Sequence, residues 1–317
     1  MTRPPLLFAL QSNPVGGVWL TSGDARALSR LRRWEWRDGA LRLEGGGVAD
    51  AALTAWAEQL AAVIEAYQVR GPAAFLRLSN VTKVGPTWSL PAVGACPVID
   101  ETCIDCYALK GRYLGNPQAQ AARLLRLEHL RALLAAGRLD EWVDWMVATL
   151  DALPPAADAP SPRIRHFRWH DSGDVFHADY ARAIVTVCAR TPTVLHWLPT
   201  RMGPLFARLV ADGLELPRNL SLRISCHRGG RLEAAQRDAA ACIRARQPDA
   251  NVDLTYTWSG PLRTPADWRA LHTAHGLAAR VCPVTIAPRG AKRSCVGCRN
   301  CWGAPAPGVV VYALHRP

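Results

Sequence analysis

Residues 163–198 read RIRHFRWHDSGDVFHADYARAIVTVCARTPTVLHWL, and this stretch decides the fold. A β-rich run over 163–169 leads into a polar turn, which is followed by a helical pattern over 177–189 and a second β-rich run over 193–198. A strand, a helix and another strand in this order predict two parallel strands joined by a helical crossover.

The same alternation extends from residue 71 to residue 275. Candidate strands cover 73–78, 163–169, 193–198, 219–225 and 252–257. Candidate helices cover 117–136, 139–150, 177–189, 203–213, 231–246 and 265–275. Thr264, Pro265 and Asp267 form a favourable start for the last of these helices. Five or six such units predict an α/β protein, and they fit a partial or full (β/α) barrel better than a short doubly wound sheet.

The two ends of the chain differ from this alternating region. Short strands are predicted at 18–20 and 41–43, followed by a helix at 51–67. The C-terminal stretch is rich in cysteine, glycine and proline, and little regular structure is expected there. Three parts are therefore predicted: a small N-terminal α+β extension at 1–70, a barrel-like catalytic domain at 71–275 and a C-terminal cysteine-rich cap at 276–317.

Composition narrows the class of protein. The 317 residues are 49% hydrophobic and 20% charged, which is typical of a globular chain and excludes wholesale disorder. No apolar run approaches the length of a membrane span, and the first ten residues are too short and too interrupted by proline for a signal peptide. We therefore expect a cytoplasmic protein without a membrane partner.

The net charge of +12 favours a polyanionic partner such as a nucleic acid or a nucleotide. An arginine-rich composition is the competing explanation, because only three of the basic residues are lysines. The ten cysteines are unsuited to a disulfide framework in a reducing compartment, so they indicate metal or redox chemistry.

The first cysteine group is the run Cys96-Pro-Val-Ile-Asp-Glu-Thr-Cys103-Ile-Asp-Cys106. Three thiolates on one short loop suit an iron–sulfur cluster, and three ligands on a [4Fe-4S] cluster leave one iron open. The amino and carboxylate groups of S-adenosylmethionine could chelate that iron, and an electron from the reduced cluster would then release a 5′-deoxyadenosyl radical. The alternative is zinc, or a closed cluster completed by a remote ligand such as Cys226.

The second cysteine group joins Cys282-Pro283 to the run Cys295-Val-Gly-Cys298-Arg-Asn-Cys301. Two successive gaps of two residues are close to the bacterial ferredoxin pattern, and Cys282 can supply a fourth ligand. Four ligands predict a second, closed [4Fe-4S] cluster for structure or electron transfer. The alternative is a zinc knuckle built from Cys282 and two of the other three cysteines. Nearby basic residues could offset the cluster's negative charge or contact a polyanion: Arg289, Lys292, Arg293 and Arg299.

The central polar turn, His170-Asp171-Ser172-Gly173-Asp174, directly follows a predicted strand. Carboxylates, an imidazole and a glycine at the carboxyl end of a strand could hold an ammonium group or ribose hydroxyls, or move a proton. His170, Asp171 and Asp174 are therefore candidate catalytic residues, and all five residues are candidates for cofactor binding. The alternative for Ser172 and Asp174 is that they cap the following helix.

Two further candidates lie at the ends of later strands. Arg201 could bind a carboxylate or phosphate. Cys226 is a candidate catalytic residue that could be a fourth ligand or a hydrogen-atom donor, or it could be a buried core thiol.

Several motifs together resemble one protein family. They are Trp88-Ser-Leu-Pro91, Cys96-Pro97, Cys103, Cys106-Tyr107-Ala108, Gly111-Arg-Tyr113, Arg168-Trp-His-Asp-Ser-Gly-Asp174, Pro199-Thr-Arg201, Leu216-Pro-Arg-Asn219, and the run from Cys282-Pro283 to Cys301-Trp302. In order and spacing this set is similar to the phage-associated gene product 88 proteins over about residues 80–305.

The arrangement also looks like a divergent radical S-adenosylmethionine barrel with a C-terminal auxiliary cluster. That resemblance implies that Cys96, Cys103 and Cys106 hold the catalytic cluster and that the turn at 170–174 binds the methionine part of S-adenosylmethionine. It also implies a cofactor-binding role for Tyr107, the aromatic residue beside the last cysteine of the loop.

The predicted function is therefore that of a radical S-adenosylmethionine-like enzyme with two [4Fe-4S] clusters. It would use a reducing electron donor to modify a nucleotide, a nucleic acid or a peptide. One alternative is a nucleic-acid-binding protein stabilised by zinc or by iron–sulfur clusters, without radical chemistry. Another is an iron–sulfur enzyme whose open iron acts as a Lewis acid.

Overall fold

The structure is a computed structural model that describes most of the chain. The described residues are 33–37, 40–44, 51–81, 84–92, 94–98, 106–109, 116–155, 164–227, 230–258, 262, 264–275, 280–286, 295, 298, 300–303 and 309–313. The strand predicted at 18–20 and the predicted ligand Cys103 lie outside these residues. So do the basic residues Arg289, Lys292, Arg293 and Arg299.

The chain divides into two compact units that are not continuous in sequence. The first unit takes its residues from Met1–Leu78, Trp88–Leu139 and Asp171–Phe176. The second takes them from Ser79–Thr87, Asp140–His170 and His177–Pro317. The loop that carries the first cysteine group therefore belongs to the same unit as residues Asp171 to Asp174 of the central turn, while His170 belongs to the second unit. The domain boundaries placed at residues 70 and 275 stay predictions.

The first unit is built from a hairpin and two long helices. Its elements are β1 (Arg33–Arg37), β2 (Ala40–Glu44), α1 (Ala51–Arg70), a 3₁₀ turn at Pro72–Ala74, a second at Tyr107–Leu109, and α2 (Pro117–Ala135). Strands β1 and β2 are antiparallel, and α1 packs against α2. The strand predicted at 41–43 and the helix predicted at 51–67 are thus confirmed.

Helix α2 begins and ends at residues suited to those positions. The Asn116 side chain accepts a hydrogen bond from the Ala119 backbone at 3.2 Å, with Pro117 at the first helical position. Gly137 follows the helix with a φ of 67°, which a residue with a Cβ adopts only at a cost. The buried face of α2 carries leucines and also two arginines, Arg123 and Arg126.

The strand predicted at 73–78 is wrong. Pro72–Ala74 forms a 3₁₀ turn, and the chain continues to Leu78 without strand pairing. The Arg126 guanidinium takes up backbone acceptors there, because it donates to the carbonyl of Phe75 at 2.9 Å and to that of Arg77. A side chain from another element thus replaces the sheet ladder that the sequence pattern favoured.

The second unit contains an eight-stranded sheet. Its strands are β3 (Ser79–Val81), β4 (Gly85–Trp88), β5 (Arg165–Trp169), β6 (Val194–Thr200), β7 (Leu220–His227), β8 (Asn251–Trp258), β9 (Arg280–Val281) and β10 (Val310–Ala313). The order across the sheet is β3-β4-β5-β6-β7-β8-β10-β9. Strands β3 and β4 are antiparallel, and each adjacent pair from β5 to β9 is parallel.

Helices alternate with the parallel strands. They are α3 (Leu139–Asp151), α4 (Ala178–Arg190), α5 (Gly203–Ala211), α6 (Glu233–Arg246), α7 (Pro265–His275), α8 (Pro283–Ile286) and α9 (Asn300–Gly303). Helix α5 packs against both α4 and α6, and α6 packs on β7 and β8. Strands β5 to β8 lie in chain order without a reversal, unlike a doubly wound sheet. The α/β prediction is confirmed, and the order agrees with a partial barrel.

The C-terminal stretch has more regular structure than its composition indicated. Val310–Ala313 forms a strand inside the sheet between β8 and β9, and α9 packs against β6 and β7. The prediction at Thr264 is confirmed, because its hydroxyl accepts from the Asp267 backbone at 3.2 Å and the Asp267 carboxylate accepts from its backbone at 2.8 Å. Within the described ranges, every helix falls short of the length and apolar content needed to cross a membrane.

Candidate functional site

The part of the central turn that lies in the first unit is buried. The side chains of Asp171, Ser172 and Asp174 belong to residues that are 0%, 4% and 7% exposed. Gly173 has a φ of 78°, and a Cβ added there would lie 2.7 Å from the Cβ of Leu90. The Leu90 backbone also donates to the Ser172 carbonyl at 3.0 Å. A glycine is therefore required for the turn to lie this close to the chain that precedes the first cysteine group.

Two hydrogen bonds join this turn to the described ends of the first cysteine group. The Asp174 backbone donates to the carbonyl of Ala95, which precedes Cys96, at 3.1 Å. The hydroxyl of Tyr107, which follows Cys106, donates to the Asp171 carbonyl. The structure therefore brings the loop and the polar turn together, as the prediction of a shared site requires. Tyr107 contributes through its hydroxyl, and its side chain is otherwise half exposed.

Arg123 is a residue of this site that the sequence interpretation missed. Its guanidinium lies 3.9 Å from a carboxylate oxygen of Asp171, and both side chains are buried. The sequence could have indicated this residue, because Arg123 lies among the leucines on the apolar face of α2. A buried arginine needs an anion or several hydrogen-bond acceptors. The two side chains therefore form a buried ion pair that links α2 to the turn.

The Asp174 carboxylate has a hydrogen-bond partner in the residue directly after the turn, whereas the Ser172 hydroxyl has none among the described residues. A carboxylate oxygen of Asp174 accepts from the Val175 backbone at 2.7 Å. The Ser172 hydroxyl is buried and has no hydrogen-bond partner among the described residues. Such a group costs free energy unless a ligand or water satisfies it, so its presence favours a binding function for the turn.

The proposed capping role of Ser172 and Asp174 is wrong. The residue that caps α4 is His177, whose Nδ1 accepts from the Asp179 backbone at 3.2 Å. Asp174 instead bonds to the residue directly after it. The side chains of the turn are thus not used to begin the helix.

His170 belongs to the second unit and directly follows strand β5. It has a φ of 48°, which is unusual for a residue with a side chain, and its Nε2 lies 2.9 Å from the Tyr180 hydroxyl. Burial, with a smaller contribution from the charge of Arg168, lowers the pKa of His170 to about 3. Its Nδ1 is buried and has no partner among the described residues. The imidazole is therefore neutral at physiological pH and keeps one nitrogen available for a ligand.

Arg201 and Cys226 lie at the carboxyl ends of β6 and β7. The Arg201 carbonyl accepts from the Gln236 side chain at 2.6 Å, which fixes the backbone that presents its guanidinium. Cys226 packs with Tyr256, Leu271 and Val311. Burial, reinforced by the charge of Glu233, raises the pKa of Cys226 to about 12. Its surroundings are those of a core thiol, while its predicted catalytic role stays a prediction.

The second cysteine group lies in an aromatic cluster in the second unit. Cys301 and Trp302, on α9, pack with Trp197 of β6. Cys282 and Cys295 pack against the same cluster, and the Cys298 backbone donates to the Cys295 carbonyl at 3.2 Å. The hydroxyl of Tyr312 lies 3.2 Å from the Cys301 Sγ. The structure therefore brings these predicted ligands to one region.

The aromatic cluster around Cys301 and the side chain of Cys226 lie on opposite faces of the sheet. Ile224 lies within 2.9 Å of the position that a Cβ on Gly203 of α5 would take, so the even-numbered side chains of β7 face the helices. Arg223 points to the other face, where its Nε donates to the Cys301 carbonyl at 3.4 Å. Cys226 is thus separated by the sheet from Cys301.

Within the described part of the chain, no group of three or more His, Cys, Asp or Glu side chains is arranged to hold a single metal ion. Cys103 lies outside that part. The assignment of metal to either cysteine group stays a prediction, and so does S-adenosylmethionine binding.

Comparison with known proteins bears on the family. No curated protein and no solved structure matches the chain. The family model described as Gene product 88 matches residues 52–304, which include both cysteine groups and the central turn. Because this match covers most of the chain, the protein belongs to the gene product 88 family, as its motifs predicted.

Proposed function

We propose that the protein is a radical S-adenosylmethionine-type iron–sulfur enzyme whose active site is formed by the first cysteine group and the central polar turn. Cys96, Cys103 and Cys106 would hold a [4Fe-4S] cluster with one open iron. When bound and reduced, this cluster would supply the electron that cleaves S-adenosylmethionine to the 5′-deoxyadenosyl radical. The four cysteines of the second group would hold a closed cluster.

The observation that carries this proposal is the pair of hydrogen bonds between the loop and the turn. Ala95 accepts from Asp174 at one side of the loop, and Tyr107 donates to Asp171 at the other. A cofactor bound to an open iron on the loop would therefore lie near buried carboxylates and a buried hydroxyl. Pre-positioned polar groups of this kind are what a charged amino-acid ligand requires.

The donor set fits the proposed cofactor. Cysteine thiolates are the usual ligands of iron–sulfur clusters, and carboxylates suit the ammonium group of S-adenosylmethionine. Asp171 is held beside Arg123, which lies 3.9 Å away, so the local charge of that pair is balanced before a ligand arrives. The Ser172 hydroxyl adds a donor and acceptor that no described residue satisfies.

Gly173 and Tyr107 would position these groups. The close approach of Gly173 to Leu90 fixes the turn against the chain before the loop, and Tyr107 fixes the Asp171 peptide.

The net charge of the chain bears on the class of substrate. The net charge of +12 favours a nucleotide or nucleic acid over a peptide. A reducing electron donor is implied by the reductive cleavage itself.

The test begins with anaerobic reconstitution, reduction with dithionite and addition of S-adenosylmethionine. We expect about eight irons per chain, the content of two four-iron clusters, and formation of 5′-deoxyadenosine. Cys103→Ala should lose about half of the iron and all of the product, whereas Cys298→Ala should lose iron from the other cluster. Cys242→Ala is the matched control, because Cys242 is a partly buried thiol on α6 outside both groups, and it should keep the full iron content.

The alternatives give different results in the same samples. Fully loaded clusters that neither bind nor cleave S-adenosylmethionine would refute the radical proposal, and turnover without reductant would then indicate Lewis-acid chemistry. Zinc in place of iron and sulfide, with steeply salt-dependent binding of DNA or RNA, would indicate a metal-stabilised nucleic-acid-binding protein.

A further inference from the structure

We propose that Tyr312 is a positioning residue of the second cysteine group: its hydroxyl donates a hydrogen bond to Cys301 and thereby raises the reduction potential of the cluster held there. The inference rests on the iron–sulfur content proposed above for that group. It goes further by naming the side chain that sets the electron-transfer property of the cluster.

The local fold brings the two residues together. Tyr312 lies on β10, between β8 and β9, and Cys301 lies on α9. The oxygen of Tyr312 is 3.2 Å from the Cys301 sulfur, within hydrogen-bond range for a sulfur atom. The Cys282 backbone donates to the carbonyl of Val311, the neighbour of Tyr312, at 2.8 Å. The same strand therefore positions the tyrosine and one predicted ligand.

The chemistry of the two groups decides the direction of the hydrogen bond. A cysteine bound to iron is a thiolate and has no proton to donate. A tyrosine hydroxyl is protonated at neutral pH, so Tyr312 must be the donor. Hydrogen bonds to the sulfurs of an iron–sulfur cluster are one of the factors that set its potential. Donation stabilises the additional negative charge of the reduced state, so it raises the potential.

Cys301 is also held firmly enough for this bond to be preorganised. Its carbonyl accepts from Arg223 at 3.4 Å, and Arg223 forms a buried ion pair with Asp253. The indole of the next residue, Trp302, donates to the Phe167 carbonyl at 2.9 Å. The backbone on both sides of the ligand is thus attached to the sheet.

The surroundings are suited to a negatively charged centre. Arg223 lies beside Cys301, and the guanidinium of Arg168 lies 4.4 Å from the centre of the Trp197 ring in the same aromatic cluster. Arg223 shares its charge with Asp253, and its guanidinium beside Cys301, together with that of Arg168 in the aromatic cluster, reduces the cost of a thiolate charge in this region.

The experiment measures the potential of the second cluster alone. Tyr312→Phe is made in a Cys103→Ala background, which removes the first cluster, and each protein is reconstituted and titrated anaerobically by EPR. At the midpoint potential of the parent, we expect the ratio of reduced to oxidised cluster to fall about tenfold, a shift of about 59 mV to lower potential for one electron. Iron content should stay at about four per chain.

Tyr256→Phe is the matched control. It removes one hydroxyl from the same unit, but Tyr256 packs with Cys226 on the helical face and its hydroxyl donates to Glu233. It should leave the potential unchanged. Equal potentials for the two phenylalanine variants would overturn the proposal, as would a Cys103→Ala protein that holds no iron and sulfide.

A second measurement needs no tyrosine variant. In the Cys103→Ala protein, transfer to D₂O should shift the Fe–S(Cys) stretching frequencies measured by resonance Raman, because the Tyr312 proton exchanges. Unshifted frequencies would overturn the proposal even if Tyr312→Phe failed to fold. Neither measurement uses S-adenosylmethionine, so failure of the radical proposal and failure of this one are distinguishable.

Discussion

Replacement of Gly173 by alanine is the sharpest test of the turn geometry. Two costs are expected. The φ of 78° disfavours any residue with a Cβ, and this costs about 1–2 kcal/mol. The new Cβ would also lie 2.7 Å from the Leu90 Cβ and 3.0 Å from the Leu90 carbonyl carbon and oxygen, so the chain must shift. Overpacking of this kind costs about 1–3 kcal/mol. The sum is about 2–5 kcal/mol of unfolding free energy.

The matched control is Gly137→Ala in the same unit. Gly137 has a φ of 67°, but a Cβ there would meet no atom within 4 Å. It therefore carries the backbone cost alone, about 1–2 kcal/mol. The difference between the two variants isolates the contact between the turn and Leu90.

Guanidinium chloride unfolding followed by tryptophan fluorescence measures both variants, since the chain has 12 tryptophans. S-adenosylmethionine binding is then measured on the reconstituted proteins by equilibrium dialysis. Gly173→Ala should weaken binding, because the shifted turn moves the carboxylates of Asp171 and Asp174, while Gly137→Ala should not. Equal losses of stability in the two variants would refute the close approach, and unchanged binding in Gly173→Ala would refute the role of the turn.

Three further predictions concern stability and the loop. Burial lowers the pKa of both His170 and His196 to about 3, so below pH 6.5 the unfolded chain binds protons that the folded chain does not. The free energy of unfolding should therefore fall by about 1.4 kcal/mol per pH unit for each histidine as the pH decreases from 6.5 towards 3. A free energy of unfolding that stays constant between pH 7 and pH 5 in denaturant titrations would contradict this prediction. Arg126→Met should lower the free energy of unfolding by about 3–5 kcal/mol, because it leaves buried carbonyls without a donor. Arg126→Lys should lower it less, because the ammonium group can still donate to some of these carbonyls. Equal denaturation midpoints for the two variants would argue against the guanidinium contacts. Tyr107→Phe should lower the free energy of unfolding by only about 1 kcal/mol. It should weaken S-adenosylmethionine binding severalfold, because it removes the hydrogen bond between the loop and Asp171. An unchanged affinity would show that this hydrogen bond does not organise the site.

The sequence predicted the parallel strands well because each run has a strand pattern between polar turns. β6 (VLHWLPT) is mainly apolar, as expected of a strand covered on both faces, whereas β7 (LSLRISCH) alternates apolar and polar residues. The error at 73–78 has a different origin. That run has the pattern of a strand, but its backbone acceptors are taken by Arg126, which lies about fifty residues further along the chain. A tertiary contact overrode a local preference, and no local pattern contains that information.

The candidate site was predictable in its residues but not in its arrangement. Cysteine spacing identified the two groups, and the cluster of polar residues identified the turn. The hydrogen bond between Tyr107 and Asp171 joins residues 64 positions apart, which no spacing argument anticipates. Arg123 was missed for a related reason, because an arginine in a leucine-rich helix is usually assigned to the solvent face.

The different surroundings of the two cysteine groups argue for different roles. The loop of the first group is hydrogen-bonded to the turn that carries Ser172. The Ser172 hydroxyl is buried without a partner among the described residues, so it can still bond to a ligand. Cys301 of the second group packs among tryptophans, its carbonyl is bonded to Arg223, and its sulfur faces the hydroxyl of Tyr312. Under the proposed function, a cluster held by Cys301 would accept a hydrogen bond from Tyr312, which suits electron transfer, whereas a cluster held by the first group would lie on a loop bonded to the turn of Ser172, which suits the binding of a reactant. This division would fail if the Cys298→Ala protein lost S-adenosylmethionine binding while the Cys103→Ala protein retained it.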